Sequence, residues 1–211
     1  MTNVFFLRHG PTLESQEGRL LGQHHGTILP PQTERYAAAV APLLRAQKVQ
    51  LLLSSDLARA QETSHILAKF FPSGIKEANQ PLLREKNLGF YEGMRWSATP
   101  ADFQKTRHQT EYDYRPLGGE SDEDVVRRVK QTLKELANRY PNMTVACVTH
   151  SGWLQQLAKL AGQDLTLPGQ DKGEIVIIET NLNPDGTIKS LTPTNTAATP
   201  KKAPTNGSSV A

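Results

Sequence analysis

A single cysteine occurs in 211 residues. Cys147 therefore has no partner for an internal disulfide. Its place in the apolar run 144–149 marks it as a small buried hydrophobe. No stretch approaches the roughly 20 consecutive apolar residues of a membrane-spanning helix. The first residues, Met1-Thr-Asn-Val-Phe-Phe-Leu-Arg-His9, carry no basic leader, long apolar segment or small-residue cleavage site. A cytoplasmic, reducing setting is the expectation, and the sequons at Asn142 and Asn206 then carry no weight. Charge of one sign is scarce as well: 24 Lys and Arg against 21 Asp and Glu leave a net +3. That excess is scattered rather than gathered into a stripe, which argues against a nucleic-acid partner. Internal repeats are lacking. Hydrophobic residues are few, at 37%, and the shortfall is concentrated near the C-terminus.

What is present reads as one domain over residues 1–191 followed by a tail over 192–211. The tail is Thr, Pro, Ala, Asn, Ser and Lys without apolar periodicity, a composition that stays disordered. Within the domain, short apolar runs at 4–7, 51–53 and 144–148 read as buried strands. Helical spacing of apolar residues predicts helices over 31–46, 57–71, 121–140 and 153–161. Ser121 followed by Asp124 is a capping-box signal for the third of these. Residues 82–116, broken by Gly89, Gly93, Pro100 and Pro116, read as loop plus short helix. Two runs around Asn183-Pro-Asp-Gly read as a final hairpin. Alternation of this kind predicts an α/β three-layer sandwich: a mostly parallel central sheet with helices on both faces.

In such sheets ligands gather at the C-terminal ends of the strands, and three polar clusters fall there. Arg8-His9 follows the first strand, Ser54, Ser55 and Arg59 follow the second, and His150 follows the 144–148 strand. Two histidines and two arginines at one sheet end suit a phosphate dianion. Arg forks match phosphate oxygens. A neutral imidazole can attack phosphorus and divide one hard step into two easier ones. Gly10 allows a tight turn after His9 and brings backbone N–H groups close.

The run Leu7-Arg8-His9-Gly10-Pro11-Thr12 resembles the signature of the histidine phosphatase (phosphoglycerate mutase-like) superfamily. Ser54-Ser-Asp-Leu-Ala-Arg59-Ala-Gln-Glu-Thr63 is similar to its second motif, and Leu83-Arg-Glu85-Lys-Asn-Leu-Gly-Phe-Tyr-Glu-Gly93 to its third. Gly118-Gly-Glu-Ser121 and Val148-Thr-His150-Ser-Gly152 complete the set, in the family's order across roughly residues 3–180. The resemblance implies that His9 is the nucleophile and that Arg8, Arg59 and His150 bind the transferring phosphate. It makes Glu85 the proton donor to the leaving group and then the base for water. A carboxylic acid beside a phosphate dianion holds its proton more tightly, which suits the first role. Thr12, Ser15 and Ser151 are the substrate-side candidates. No metal or other cofactor is needed, the substrate is a small phosphate ester, and the family leaves room for a homodimer.

Departures from the pattern fall on the substrate side. Pro11 stands where many members have Glu or Gln, Glu14-Ser15 stands where they often have Trp-Asn, and His25-Gly-Thr-Ile-Leu-Pro-Pro-Gln-Thr33 replaces the usual helix start. Glu85-Lys-Asn-Leu-Gly89 is closer to the phosphatase branch than to the mutase run Glu-Arg-His-Tyr-Gly. A phosphatase, a cofactor-dependent mutase and an inactive binding module are the three readings, in that order. His24-His25 reads as a solvated pair rather than a metal site. Lys86, Arg95, Arg107 and His108 read as surface charge, with contact to a second anionic group as the sharper alternative. Trp96 and Trp153 read as core packing.

Overall fold

A computed structural model describes residues 1–104, 113–163 and 175–196. Six strands form one sheet: β1 (Thr2–Arg8), β2 (Leu51–Ser54), β3 (Lys76–Asn79), β4 (Thr144–Thr149), β5 (Ile175–Leu182) and β6 (Ile188–Thr196), in the order β3-β2-β4-β1-β5-β6. β3, β2, β4 and β1 run parallel, and the β5–β6 hairpin adds antiparallel to β1. The sheet is therefore mixed, with its parallel part at the strands that carry the polar clusters.

Side chains alternate across the pleat. Val4, Phe6, Leu53, Val145 and Cys147 belong to one core, with α4 (Asp122–Arg139) and α5 (Ser151–Leu160) packed on it. Phe5, Leu7, Leu52, Ala146 and Val148 belong to the other, against α2 (Pro30–Ala46) and α3 (Ala58–Ala68). These are the two outer layers of the sandwich. Near-continuous apolar strands follow from burial on both faces. Cys147 is fully buried, and burial pushes its thiol far up. Trp153 is also fully buried, against the Phe6 ring at 4.9 Å. The Ser121–Asp124 capping box forms as read from the sequence.

Two short elements go beyond the sequence reading. β3 is fully exposed and polar, so it carried no apolar signal. Its pairing with β2 places it. The four-residue α1 (Leu13–Gln16) buries no residue. β6 continues to Thr196, past the loss of apolar patterning at Thr192. Residues 197–211, and with them most of the expected tail, lie outside the described residues.

Residues 81–104 and 113–121 contribute 3₁₀ turns at Pro81–Leu83, Gly89–Tyr91, Trp96–Ala98 and Arg115–Leu117. A third, aromatic core of Leu20, Leu88, Tyr91, Phe103 and Tyr114, with Trp96 against it, holds this segment together. Tyr91 and Phe103 stack with centroids 4.1 Å apart. Arg107 and His108 lie outside the described residues.

Candidate active site

The parallel register brings the sequence-predicted groups to one end of the sheet. His9 N–H bonds to Thr149 O and Ser55 N–H to Val148 O, which continues the strand pairing just past β1 and β2. His9 is 5% exposed, Arg59 1% and His150 0%. The two imidazole centroids stand 5.0 Å apart.

His9 Nδ1 lies 2.7 Å from Gly10 O. A carbonyl accepts only, so Nδ1 carries the proton and Nε2 keeps its lone pair. Arg59 Nε donates to that Nε2 at 3.2 Å. Burial, then the Arg59 and Arg8 guanidinium groups, hold His9 well below the ordinary histidine range. His9 is therefore a neutral, oriented base. His150 is also pushed well down, by burial first and Arg59 next. Neither of its ring nitrogens has a hydrogen-bond partner among the described residues. A buried polar pair of this kind costs stability unless something else satisfies it, and the guanidinium groups of Arg59, Arg128 and Arg8 act on it.

Arg59 enters from the first turn of α3. Its Nη1 donates to His24 O at 2.7 Å and its Nη2 to Gly22 O at 2.6 Å. The guanidinium is thus fixed by the 22–24 loop before any ligand arrives. That loop is fixed in turn by Glu92, whose Oε1 accepts from Gln23 N and Leu88 N. Gly22 has φ +53° and would place a Cβ 2.3 Å from that Oε1, so a glycine is required there. Glu92 stood in the third motif without a role. Its signal was only its position two residues beyond Phe90.

Gly10 departs from expectation. Its N–H donates to Thr63 Oγ1 at 3.0 Å. Its Cβ position lies 2.6 Å from Thr33 Oγ1, so close packing rather than an open N–H requires glycine.

Glu85 is half-buried. Its Oε1 accepts from Lys86 N at 2.9 Å, and its Oε2 accepts from Gly152 N at 3.1 Å. Gly152 lies in the first turn of α5, two residues after His150. The carboxyl group therefore rests on the N-terminal turn of α5. The Gly152 amide is a group that sequence reasoning missed. Ser151 is half-buried at the same helix start. Thr12 is fully buried and Ser15 half-buried just past β1, and their hydroxyls form the capping box of α1. Thr12 Oγ1 donates to Ser15 Oγ, and Ser15 Oγ donates to Thr12 O.

The flanking cations are engaged with protein groups. Lys86 is buried, ion-paired with Asp122, and its ammonium lies 4.9 Å from the Tyr114 ring centroid. Arg95 pairs with Glu17 at 3.1 Å. His24 and His25 are exposed, with rings 6.3 Å apart.

Residues 4–183 match the profile of the histidine phosphatase superfamily (branch 1), and the chain belongs to that family. It is 27% identical over 166 residues to a metal-independent phosphoserine phosphatase of Arabidopsis thaliana, covering 74% of this chain and 67% of the plant protein. It is 36% identical over 92 residues to a probable phosphoglycerate mutase of Yersinia enterocolitica, covering 44% of this chain but only 41% of that one. Among solved structures, a mycobacterial glucosyl-3-phosphoglycerate phosphatase superimposes with a TM-score of 0.70 at 26% identity, covering 94% of this chain and 99% of that one. No helix among the described residues is long and apolar enough to cross a membrane.

Proposed function

We propose that this protein hydrolyses small phosphate monoesters through a phosphohistidine on His9 Nε2, without a metal. The observation that carries the reading is the Nδ1 contact of His9 with Gly10 O, which directs the Nε2 lone pair toward Arg59.

In the first step the His9 Nε2 lone pair attacks phosphorus and the P–O ester bond breaks. The electron pair leaves on the ester oxygen, which takes a proton from the Glu85 carboxyl. The alcohol departs and phosphohistidine remains. In the second step a water oxygen attacks phosphorus and the N–P bond breaks. Its electron pair returns to Nε2, and Glu85 takes the water proton. Arg8, Arg59 and His150 hold the equatorial oxygens as charge develops. The unpartnered ring nitrogens of His150 and the pre-tied Arg59 suit that task. Thr12, Ser15 and Ser151 shape the approach from the substrate side.

One observation favours hydrolysis over transfer. Lys86 pairs with Asp122 and Arg95 with Glu17, so these flanking cations are engaged by protein carboxylates rather than offered to a substrate carboxylate. A cytoplasmic setting goes with this reading.

The test is incubation with para-nitrophenyl phosphate in chelator, and with 3-phosphoglycerate plus 2,3-bisphosphoglycerate, for the wild type and His9→Ala. The expected result is chelator-resistant phosphate release that His9→Ala abolishes. Phosphoglycerate interconversion outpacing phosphate release would turn the reading to mutase. Undiminished hydrolysis by His9→Ala would overturn the nucleophile.

A further inference from the structure

Residues 82–85 belong to neither a long helix nor a strand, yet none of their carbonyls lacks a side-chain donor. Leu82 O accepts from Trp153 Nε1 at 2.9 Å and Arg128 Nη1 at 3.0 Å. Leu83 O accepts from Thr149 Oγ1 at 2.8 Å. Arg84 O accepts from Arg128 Nη1 at 2.9 Å. Glu85 O accepts from Arg128 Nη2 at 3.3 Å and Gln23 Nε2 at 3.1 Å. One guanidinium therefore serves three of the four.

Arg128 lies on α4, and its charge also acts on His150. Its remaining N–H groups go to Glu120, Nε to Oε1 and Nη2 to Oε2, both at 2.8 Å. That fork-to-fork pair is only 17% and 20% exposed, which sets it apart from a solvated surface bridge. Glu120 Oε2 also accepts from Asn87 N at 2.8 Å. Arg128 and Glu120 thus grip the chain on both sides of Glu85, at residues 82, 84, 85 and 87. A planar guanidinium with its donors all used holds position in a way that a flexible ammonium cannot.

We infer that Arg128 and Glu120 are positioning residues that aim the Glu85 carboxyl at the leaving oxygen and at the attacking water. The inference rests on the role proposed for Glu85. Both act through the backbone of residues 82–87. Misplacement of a proton donor by about 1 Å costs on the order of 100-fold in rate.

The two steps depend on Glu85 differently, and this separates positioning from general support. Para-nitrophenolate leaves without a proton, so phosphorylation of His9 by para-nitrophenyl phosphate does not need Glu85. Phenyl phosphate, a poorer leaving-group ester, needs it. Hydrolysis of the phosphohistidine needs it with either substrate.

Full-length Arg128→Lys and Glu120→Gln are compared with Glu85→Gln by rapid mixing, with thermal melting to verify folding. The expected result is about 100-fold slower turnover of phenyl phosphate. With para-nitrophenyl phosphate, a burst of about one equivalent of nitrophenolate persists at near wild-type rate and precedes slow turnover. Glu85→Gln shows the same pattern. If Arg128→Lys fails to fold, Glu120→Gln, which conserves shape, decides. Should the folded variants lose the burst and both turnovers by one common factor, or lose nothing, while Glu85→Gln shows the pattern, the positioning role is wrong. If Glu85→Gln lacks the pattern, the role of Glu85 itself fails and this inference with it.

Discussion

Arg59 Nε stands 3.2 Å from His9 Nε2, and the two groups are held by different parts of the chain. His9 is set by the end of β1. Arg59 is set by α3 and by the carbonyls of Gly22 and His24. A guanidinium this close disfavours the imidazolium, and it is the largest cause after burial of the lowered His9 pKa. Arg59→Gln removes that positive charge, so the His9 pKa rises. The acid limb of the kcat/KM profile then moves to higher pH, and turnover at neutral pH falls by on the order of 100-fold. A pH–rate profile checks the shift. An acid limb that stays in place would separate Arg59 from control of His9.

Stability carries the same signature. His9 and His150 are held neutral in the folded protein, well below their ordinary pKa. The unfolded chain takes up protons at both as pH falls through about 6.5, whereas the native state does not. Because the unfolded state binds more protons, stability rises with pH in that window. It is full above about pH 6.5 and is lost progressively below it. Asp56, held low by its hydrogen bonds from Arg84, loses its contribution only at far lower pH, below about 4. Melting at pH 8, 6.5 and 5 should give a plateau followed by a fall. His150→Gln should make the fall shallower, and orthovanadate, by satisfying the buried imidazole, should raise Tm. A Tm that climbs as pH drops from 6.5 to 5 would contradict the assignment.

Gly152→Ala tests the seat of Glu85. A Cβ there would lie 2.5 Å from Glu85 Oε1, which is tighter than real contacts permit. The carboxylate must move, since the obstacle is built on helix backbone. Alanine is otherwise a better helix former than glycine by about 1 kcal/mol. Tm should therefore hold or rise slightly, while turnover of alkyl phosphates falls about 10-fold or more. Melting and steady-state kinetics together check this. Unchanged turnover would show that the Glu85 contact with the Gly152 amide has no bearing on proton transfer.

Much of this was legible in the sequence because it is local. Strands buried on both faces must be continuously apolar, so β1, β2 and β4 declared themselves. α2, α3 and α4 repeat apolar residues at helical spacing, and Ser121 with Asp124 marked a helix start. His9, Arg59 and His150 were legible because each directly follows a strand or opens the helix after one. β3 was not, since Lys76–Asn79 is an exposed edge whose strand character comes only from β2.

The sequence by itself determined which groups stand at the strand ends, and hence the kind of chemistry available, because strand polarity and alternation are short-range properties. Only the tertiary structure decided what those groups are. The neutrality of His9 depends on burial and on a guanidinium 50 residues away, and its tautomer on the carbonyl of Gly10. The posture of Glu85 depends on the amide of Gly152, and its backbone on Arg128, Glu120 and Gln23. Hydrogen bonds and Coulomb forces act over a few ångströms whatever the distance along the chain. Sequence periodicity carries no record of contacts that only the folded topology brings within that reach.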